Sequence, residues 1–246
     1  MYRIKCEVKY DGTNYAGYQV QANANTVQAE LEKALKKIHK GKHVKTKASG
    51  RTDSGVHAKG QVFHFDTNLN IPSSNWKRAL YATLPYDIYV SNVDNVDEDF
   101  HARYHTTGKE YRYFVRNHPE PDIFRRNYSY HIRKALDVEA MLDACQIIQG
   151  EHDFTSFCAT RADVKGSKVR TVQRATIEKE GSELVFIFKG SGFLYNMVRI
   201  LVGTILEVGR GNHRPEKLRE MLEARNREAA GITAPPHGLF LWKVDY

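Results

Sequence analysis

From Tyr2 to Tyr10 the chain alternates, with Ile4, Cys6, Val8 and Tyr10 set against Arg3, Lys5, Glu7 and Lys9. A period of two with one apolar face predicts a half-buried strand. The period then changes. Val27, Leu31, Leu35 and Ile38 recur at helical spacing after Asn25 or Thr26 as the N-cap, with Lys36 and Lys37 in the last turns and Gly41 as the stop. His43 to Ala48 and Gln61 to Phe65 read as two further strands. Ser73 or Ser74 caps a helix that carries Trp76, Leu80 and Leu84, and Asp87 to Val93 returns as a strand. The order is β-α-β-β-α-β.

The remainder repeats that order. Lys109 to Arg116 is a strand, and Asp137 caps a helix whose Val138, Met141, Leu142, Cys145 and Ile148 share a face and whose end is Gly150. Val169 to Glu178 and Leu184 to Lys189 form a hairpin around Gly181-Ser182. A strongly apolar helix from Leu194 to Glu207 follows, then a shorter one opened by Pro215, then a strand from Leu239 to Val244. The fold class expected is α+β, built from two ferredoxin-like halves, residues 1–107 and 108–246. Such units, also used by RNA-recognition modules, pack helices on one sheet face and leave the other for a ligand.

Composition narrows the classes. Of 246 residues 41% are apolar and 27% charged, enough apolar surface for a packed core without staples. The three cysteines, Cys6, Cys145 and Cys158, lie far apart with no CxxC pair, and read as buried thiols of a reducing compartment. The first residues contain no apolar core of a signal peptide, and the most apolar stretch, Ile200 to Leu206, is too short to span a bilayer. A cytoplasmic protein with no membrane association is expected.

The net charge of +8 is unevenly placed. Between Lys33 and Thr52 stand eight basic residues (Lys33, Lys36, Lys37, Lys40, Lys42, Lys45, Lys47 and Arg51) and no Asp or Glu. A second basic zone, Arg112, Arg116, Arg125, Arg126, Arg133 and Lys134, is interleaved with Tyr111, Tyr113, Phe114, Phe124, Tyr128 and Tyr130. Cations to neutralise phosphates and rings on which bases stack suit single-stranded or looped RNA.

The first basic run ends in Lys47-Ala48-Ser49-Gly50-Arg51-Thr52-Asp53-Ser54-Gly55-Val56-His57-Ala58. Two glycines and an aspartate make a tight loop, which by itself is a turn between strands. Its content adds chemistry: one carboxylate beside Arg51 at the end of a cationic run is held ionised, and so is available as a nucleophile or base. His101 and His105 lack a third metal ligand, and Lys189-Gly190-Ser191-Gly192-Phe193-Leu194 matches the RNP1 string of RNA-recognition motifs only in part.

The string Gly50 to Ala58 resembles the active-site signature of the tRNA pseudouridine synthase A family. Tyr10-Asp11-Gly12, Tyr15 to Gln21, Phe100-His101-Ala102-Arg103-Tyr104, Lys109 to Tyr113, Gly192 to Arg199 and Ala234 to Leu239 agree in order and spacing. His101 and Tyr104 depart from the Asn and Phe often found there in the family. The resemblance implies a continuous, mostly antiparallel sheet with helices on one face and a catalytic cleft on the other. It implies an isomerase that converts uridine to pseudouridine at positions 38, 39 and 40 of the tRNA anticodon stem-loop, with no cofactor and no metal, as a homodimer. Asp53 then corresponds to the nucleophile, Arg199 to the cation that pairs with it, and Arg51 to the residue that displaces or holds the flipped nucleotide. Tyr111 corresponds to the tyrosine that stacks on the uracil, Leu239 packs against the base, and Arg103 contacts phosphate. A non-catalytic RNA-binding module and a metal-dependent nuclease are the competing classes.

Overall fold

In a computed structural model, residues 1–160 and 166–246 are described. The chain runs β1 (Tyr2–Tyr10), α1 (Val27–Ile38), β2 (Lys47–Ala48), β3 (His57–Thr67), α2 (Ser73–Tyr81), β4 (Ile88–Val96) and β5 (Gly108–Asn117). It continues through β6 (Tyr130–Ile132), α3 (Val138–Ile147), β7 (Gly150–Asp153), β8 (Val169–Glu180), β9 (Glu183–Gly190), α4 (Met197–Gly209), α5 (Lys217–Ala224) and β10 (Leu239–Asp245). β1–β3, β1–β4, β2–β3, β5–β9, β7–β8 and β8–β9 pair antiparallel and β3–β10 and β5–β6 in parallel, an α+β architecture.

Two compact units result, Met1–Thr107 with Phe240–Tyr246, and Gly108–Leu239. Periodicity alone puts the last strand in the second half. Its Phe240 and Leu241 instead pair in parallel with His57 and Ala58 of β3. The Thr107 N–H donates to Asp245 O at 3.0 Å and the Tyr246 hydroxyl to Ala102 O at 2.7 Å, so residues 240–246 are built into the first unit.

In that unit β1 lies between β4 and β3, and the far edge of β3 is shared by β2 at Phe63–His64 and β10 at His57–Ala58. This is the ferredoxin-like arrangement. The alternation of β1 places Ile4, Cys6, Val8 and Tyr10 in the core, where Cys6 faces Phe63 and Ile4 faces Phe65 in register. Helix α1 adds Val27, Leu31 and Leu35, with the Thr26 hydroxyl accepting from the Ala29 N–H as its N-cap. Helix α2 adds Trp76 and Leu80, and it begins directly after Pro72, so no side chain caps it.

The predicted strand His43 to Ala48 is shorter in the structure, reduced to Lys47–Ala48. Val44 and Thr46 are nevertheless buried, as the alternation requires. Their backbone is held by side chains instead of a ladder: the Thr46 N–H donates to Glu32 Oε1 at 2.9 Å, and Gln28 Nε2 donates to Thr46 O at 3.2 Å.

Strand β3 is buried on both faces, since Gln61, Val62 and His64 are as inaccessible as Phe63 and Phe65. The segment around Ala102 covers the second face: its N–H donates to His64 Nδ1 at 3.1 Å, and His101 lies edge-on to the His64 ring at 4.9 Å.

In the second unit the strand order is β5-β9-β8-β7, with β6 along β5. The Asp137 carboxylate caps α3 by accepting from the Ala140 N–H at 3.0 Å, and α3 packs on β8 and α4. Helix α4 is buried on nearly every side from Met197 to Gly209. It starts at Met197 and not at Leu194 because Asn196 sits at φ +59°, outside helical space. Among the described residues no helix is long and apolar enough to cross a membrane.

Burial, with His101 and Arg3 nearby, pushes His64 down to about 4. Below the ordinary pKa near 6.5 the unfolded chain therefore binds a proton that the folded chain refuses, until pH reaches about 4. Stability should fall as pH drops through this window, with a His64 contribution of up to about 1.4 kcal/mol per pH unit. Urea unfolding of the wild type and His64→Asn from pH 7.5 to 4.5 checks this: the variant keeps an acceptor for Ala102 and should show the shallower dependence.

Candidate active site

The loop from Ser49 to Val56 joins β2 to β3, and its backbone is held from two sides. On one side the Ser49 N–H donates to Val62 O at 2.8 Å, the Ser49 hydroxyl donates to Gln61 Oε1 at 2.6 Å, and Gln61 Nε2 donates to Gly50 O at 3.0 Å. Gln61 is wholly buried, so its carboxamide fixes the loop entrance with no competing water.

On the other side lies the segment from Tyr10 to Tyr18. The Tyr10 hydroxyl bonds Thr52 Oγ1 at 2.8 Å, the Tyr18 N–H donates to Thr52 O at 3.1 Å, and the Gly55 N–H donates to Tyr15 O at 3.2 Å. Such backbone contacts require that no side chain intervene. A Cβ on Gly12 would fall inside the van der Waals shell of the Val56 carbonyl. A Cβ on Gly17, whose φ is +104°, would lie 2.8 Å from Thr52 O. The sequence assigns no part in the site to Tyr10, Gly12, Gly17 or Gln61; glycine beside aromatic residues just after a strand is the signal for the first three, and Gln61 carries none.

Between these supports the loop makes one turn. The Val56 N–H donates to Asp53 O at 3.1 Å, with Gly55 at φ +75° in the position where a type II turn needs positive φ. Asp53 is therefore the first residue of a turn and its carboxylate is half-buried, while Arg51 and Ser54 are exposed. After the turn His57 is buried, stacked on Phe240 with centroids 4.5 Å apart and rings inclined at 23°. Its Nδ1 accepts from the Gly12 N–H at 3.0 Å and lies 3.1 Å from Asp11 Oδ1. Arg103, in the same unit, is exposed, with its N–H on His101 Nδ1 at 3.1 Å.

The remaining predicted residues are in the second unit. Tyr111 is half-buried on β5, opposite Phe188 in register, and meets the Phe193 ring edge-on at 5.2 Å and 83°. Two positions along, Tyr113 is fully buried with its hydroxyl on Pro235 O at 2.8 Å, and burial raises its pKa. Arg199 lies in the first turn of α4. Its Nε donates to Ala234 O at 2.7 Å, its Nη1 donates to Asn196 Oδ1 at 3.1 Å, and the Ala234 N–H donates to Arg199 O at 3.0 Å. Leu239, five residues beyond Ala234, is buried. Thus Arg51 and Asp53 share one loop, and Arg199 and Tyr113 are tied to the Ala234–Pro235 segment that leads into Leu239. Among the described residues, no three His, Cys, Asp or Glu side chains are grouped so as to hold a metal ion.

Residues 7–105 and 144–246 match the tRNA pseudouridine synthase family. A tRNA pseudouridine synthase A of Oceanobacillus iheyensis is 51% identical over 246 residues, covering 100% of this chain and 97% of that protein. Its counterpart in Halalkalibacterium halodurans is 55% identical over 239 residues, 97% and 90% of the two chains. A third, from a Geobacillus species, is 53% identical over 244 residues, 99% and 98%.

Gly12→Ala should cost about 1–3 kcal/mol, because the Cβ must push the loop away from its support. Gly41→Ala makes the matching control: its φ is +95° but nothing lies within 4 Å, so only backbone strain of about 1 kcal/mol is expected. Denaturant unfolding measures both. Hydrogen exchange at the Gly55 and Val56 amides should accelerate in Gly12→Ala alone.

Proposed function

Since the chain belongs to the tRNA pseudouridine synthase family, we propose that it isomerises uridine to pseudouridine at positions 38, 39 and 40 of the tRNA anticodon stem-loop, with Asp53 as nucleophile. The observation that carries this reading is the loop itself. A single half-buried carboxylate stands at the head of a turn whose backbone is locked by Tyr10, Gly12, Gly17 and Gln61, at the end of an acid-free basic run. Nucleophilic catalysis needs a carboxylate that stays ionised and does not wander.

The chemistry follows from bond accounting. A uracil inside a stem must first leave the stack, at a cost of a few kcal/mol, which cationic contacts to phosphate offset. Asp53 attacks C6 of the uracil or C1′ of its ribose, and the bond from N1 to C1′ breaks. The base turns, C5 bonds to C1′, C5 loses its proton, N1 gains one, and the carboxylate is released. No electrons are exchanged overall and no group is added, so an isomerisation of this kind asks for no cofactor.

By the family resemblance Arg51 displaces or holds the flipped nucleotide, Tyr111 stacks on the uracil and assists proton removal from C5, and Leu239 packs against the base. Arg199 is the counter-charge to the nucleophile and Arg103 a phosphate contact. The edge contact of Phe193 on Tyr111 leaves the tyrosine half-exposed, as a stacking platform must be. A homodimer is carried over from the same resemblance. A cytoplasmic location suits the three free, buried cysteines.

Asp53→Asn and Asp53→Ala should retain tRNA binding and lower tritium release from 5-tritiated uridine in tRNA by at least about 10³-fold. Turnover at the wild-type rate in either variant would remove Asp53 from the mechanism, whereas a wild-type chain that binds tRNA and releases no tritium would favour an RNA-binding module.

A further inference from the structure

In the second unit a cavity of about 310 Å³ opens beside the end of β5, between residues 121–126 and β6. Its wall is drawn almost wholly from the second basic zone, in the stretch that separates the two family-matched parts of the chain. The uridine chemistry makes no use of it.

The polar groups here are unevenly satisfied. Asp122, the carboxylate of the wall, is committed to backbone, accepting from the Phe124 and Arg125 N–H groups at 2.9 and 3.3 Å. Arg125 Nη2 pairs with Glu183 at 2.8 Å, yet its Nε is buried with no hydrogen-bond partner. Ser129 is only 4% exposed, and its hydroxyl is likewise buried and unpartnered. Arg126 is exposed and donates once, to Ile123 O at 2.6 Å, which leaves most of its guanidinium unspent. One acceptor, Glu183 Oε1, is also unpartnered, but it lies outside the lining. The two unspent guanidiniums only donate and the Ser129 hydroxyl can donate, and buried polar groups without partners are rare in folded chains. Alongside them Ile123, 62% exposed, and Tyr130 offer an apolar wall. The volume is at the lower end for sites that enclose a small ligand.

We propose that this cavity takes a nucleotide of the RNA away from the target uridine, with its phosphate on Ser129, Arg125 and Arg126 and its sugar or base against Ile123 and Tyr130. The proposal rests on the reading that tRNA is the substrate. It adds a second contact that fixes register without touching the reacting atoms.

The test measures tRNA affinity of the full chain between 50 and 200 mM salt, for the wild type, Arg126→Gln and Ser129→Ala. Both variants should bind about three- to tenfold more weakly, and Arg126→Gln should reduce the salt slope by about one. Ser129→Ala should at the same time keep or raise the melting temperature, because it removes an unpartnered hydroxyl; a purely structural serine would do the opposite. Variants with wild-type affinity and slope overturn the proposal while the functional reading stands. A wild-type chain that binds no tRNA takes both down. A titration with 5′-UMP separates the sources of phosphate: saturable binding that Ser129→Ala abolishes, with tRNA affinity intact, assigns the cavity to free nucleotides and overturns the RNA contact.

Discussion

Everything proposed for Asp53 depends on two stretches of backbone touching with no side chain between them. The carbonyl oxygens of Val56 and Thr52 lie only 2.0 and 2.8 Å from where a Cβ of Gly12 or Gly17 would be, and the Gly55 N–H reaches the Tyr15 carbonyl across the same seam. A carboxylate on an ordinary surface loop samples many positions, and a nucleophile displaced by an ångström loses much of its effect. Here the loop is positioned by steric exclusion and hydrogen bonds together. The buried Tyr10 and Gln61 side chains close the remaining directions.

The second unit uses the same device with a helix in place of a loop. Gly203 of α4 lets the chain at Ile232 approach so closely that a Cβ would overlap its carbonyl, and one turn earlier Arg199 binds Ala234 through both backbone and side chain. The segment carrying Leu239 is thus laid along α4, with Tyr113 holding it from β5 through Pro235. Neither the loop from Ser49 to Val56 nor the chain from Ile232 to Pro235 is part of a regular helix or strand, yet each is fixed by one.

How much of this the sequence carries differs by feature. Periodicity located β1, α1, α3 and the β8–β9 hairpin because each buries one face, and burial is what an apolar pattern records. It failed where burial and ladder bonding part company. Val44 and Thr46 alternate as a strand should and are buried, but Glu32 and Gln28 satisfy Thr46 in place of a neighbouring strand. The pairing of β10 with β3 joins residues far apart in the chain, and no local pattern encodes a partner. Strands β6 and β7 are too short to show a period. Within the site, the Gly50 to Ala58 motif was legible, whereas Gln61 reads simply as a polar position on a strand although its carboxamide holds the loop in place.

The first unit is discontinuous, since its last strand follows the whole of Gly108–Leu239. During synthesis the earlier strands and the loop with Asp53 emerge well before β10, and until then His57 lacks its stacking partner Phe240 and the adjoining edge of β3 has no parallel strand. Contacts between residues so distant in sequence form late, because the intervening chain must first be ordered. The order of assembly is therefore inverted with respect to the order of translation: the unit made first is the one completed last, and His57, just after the Asp53 loop, reaches its final surroundings only after the second unit has been made.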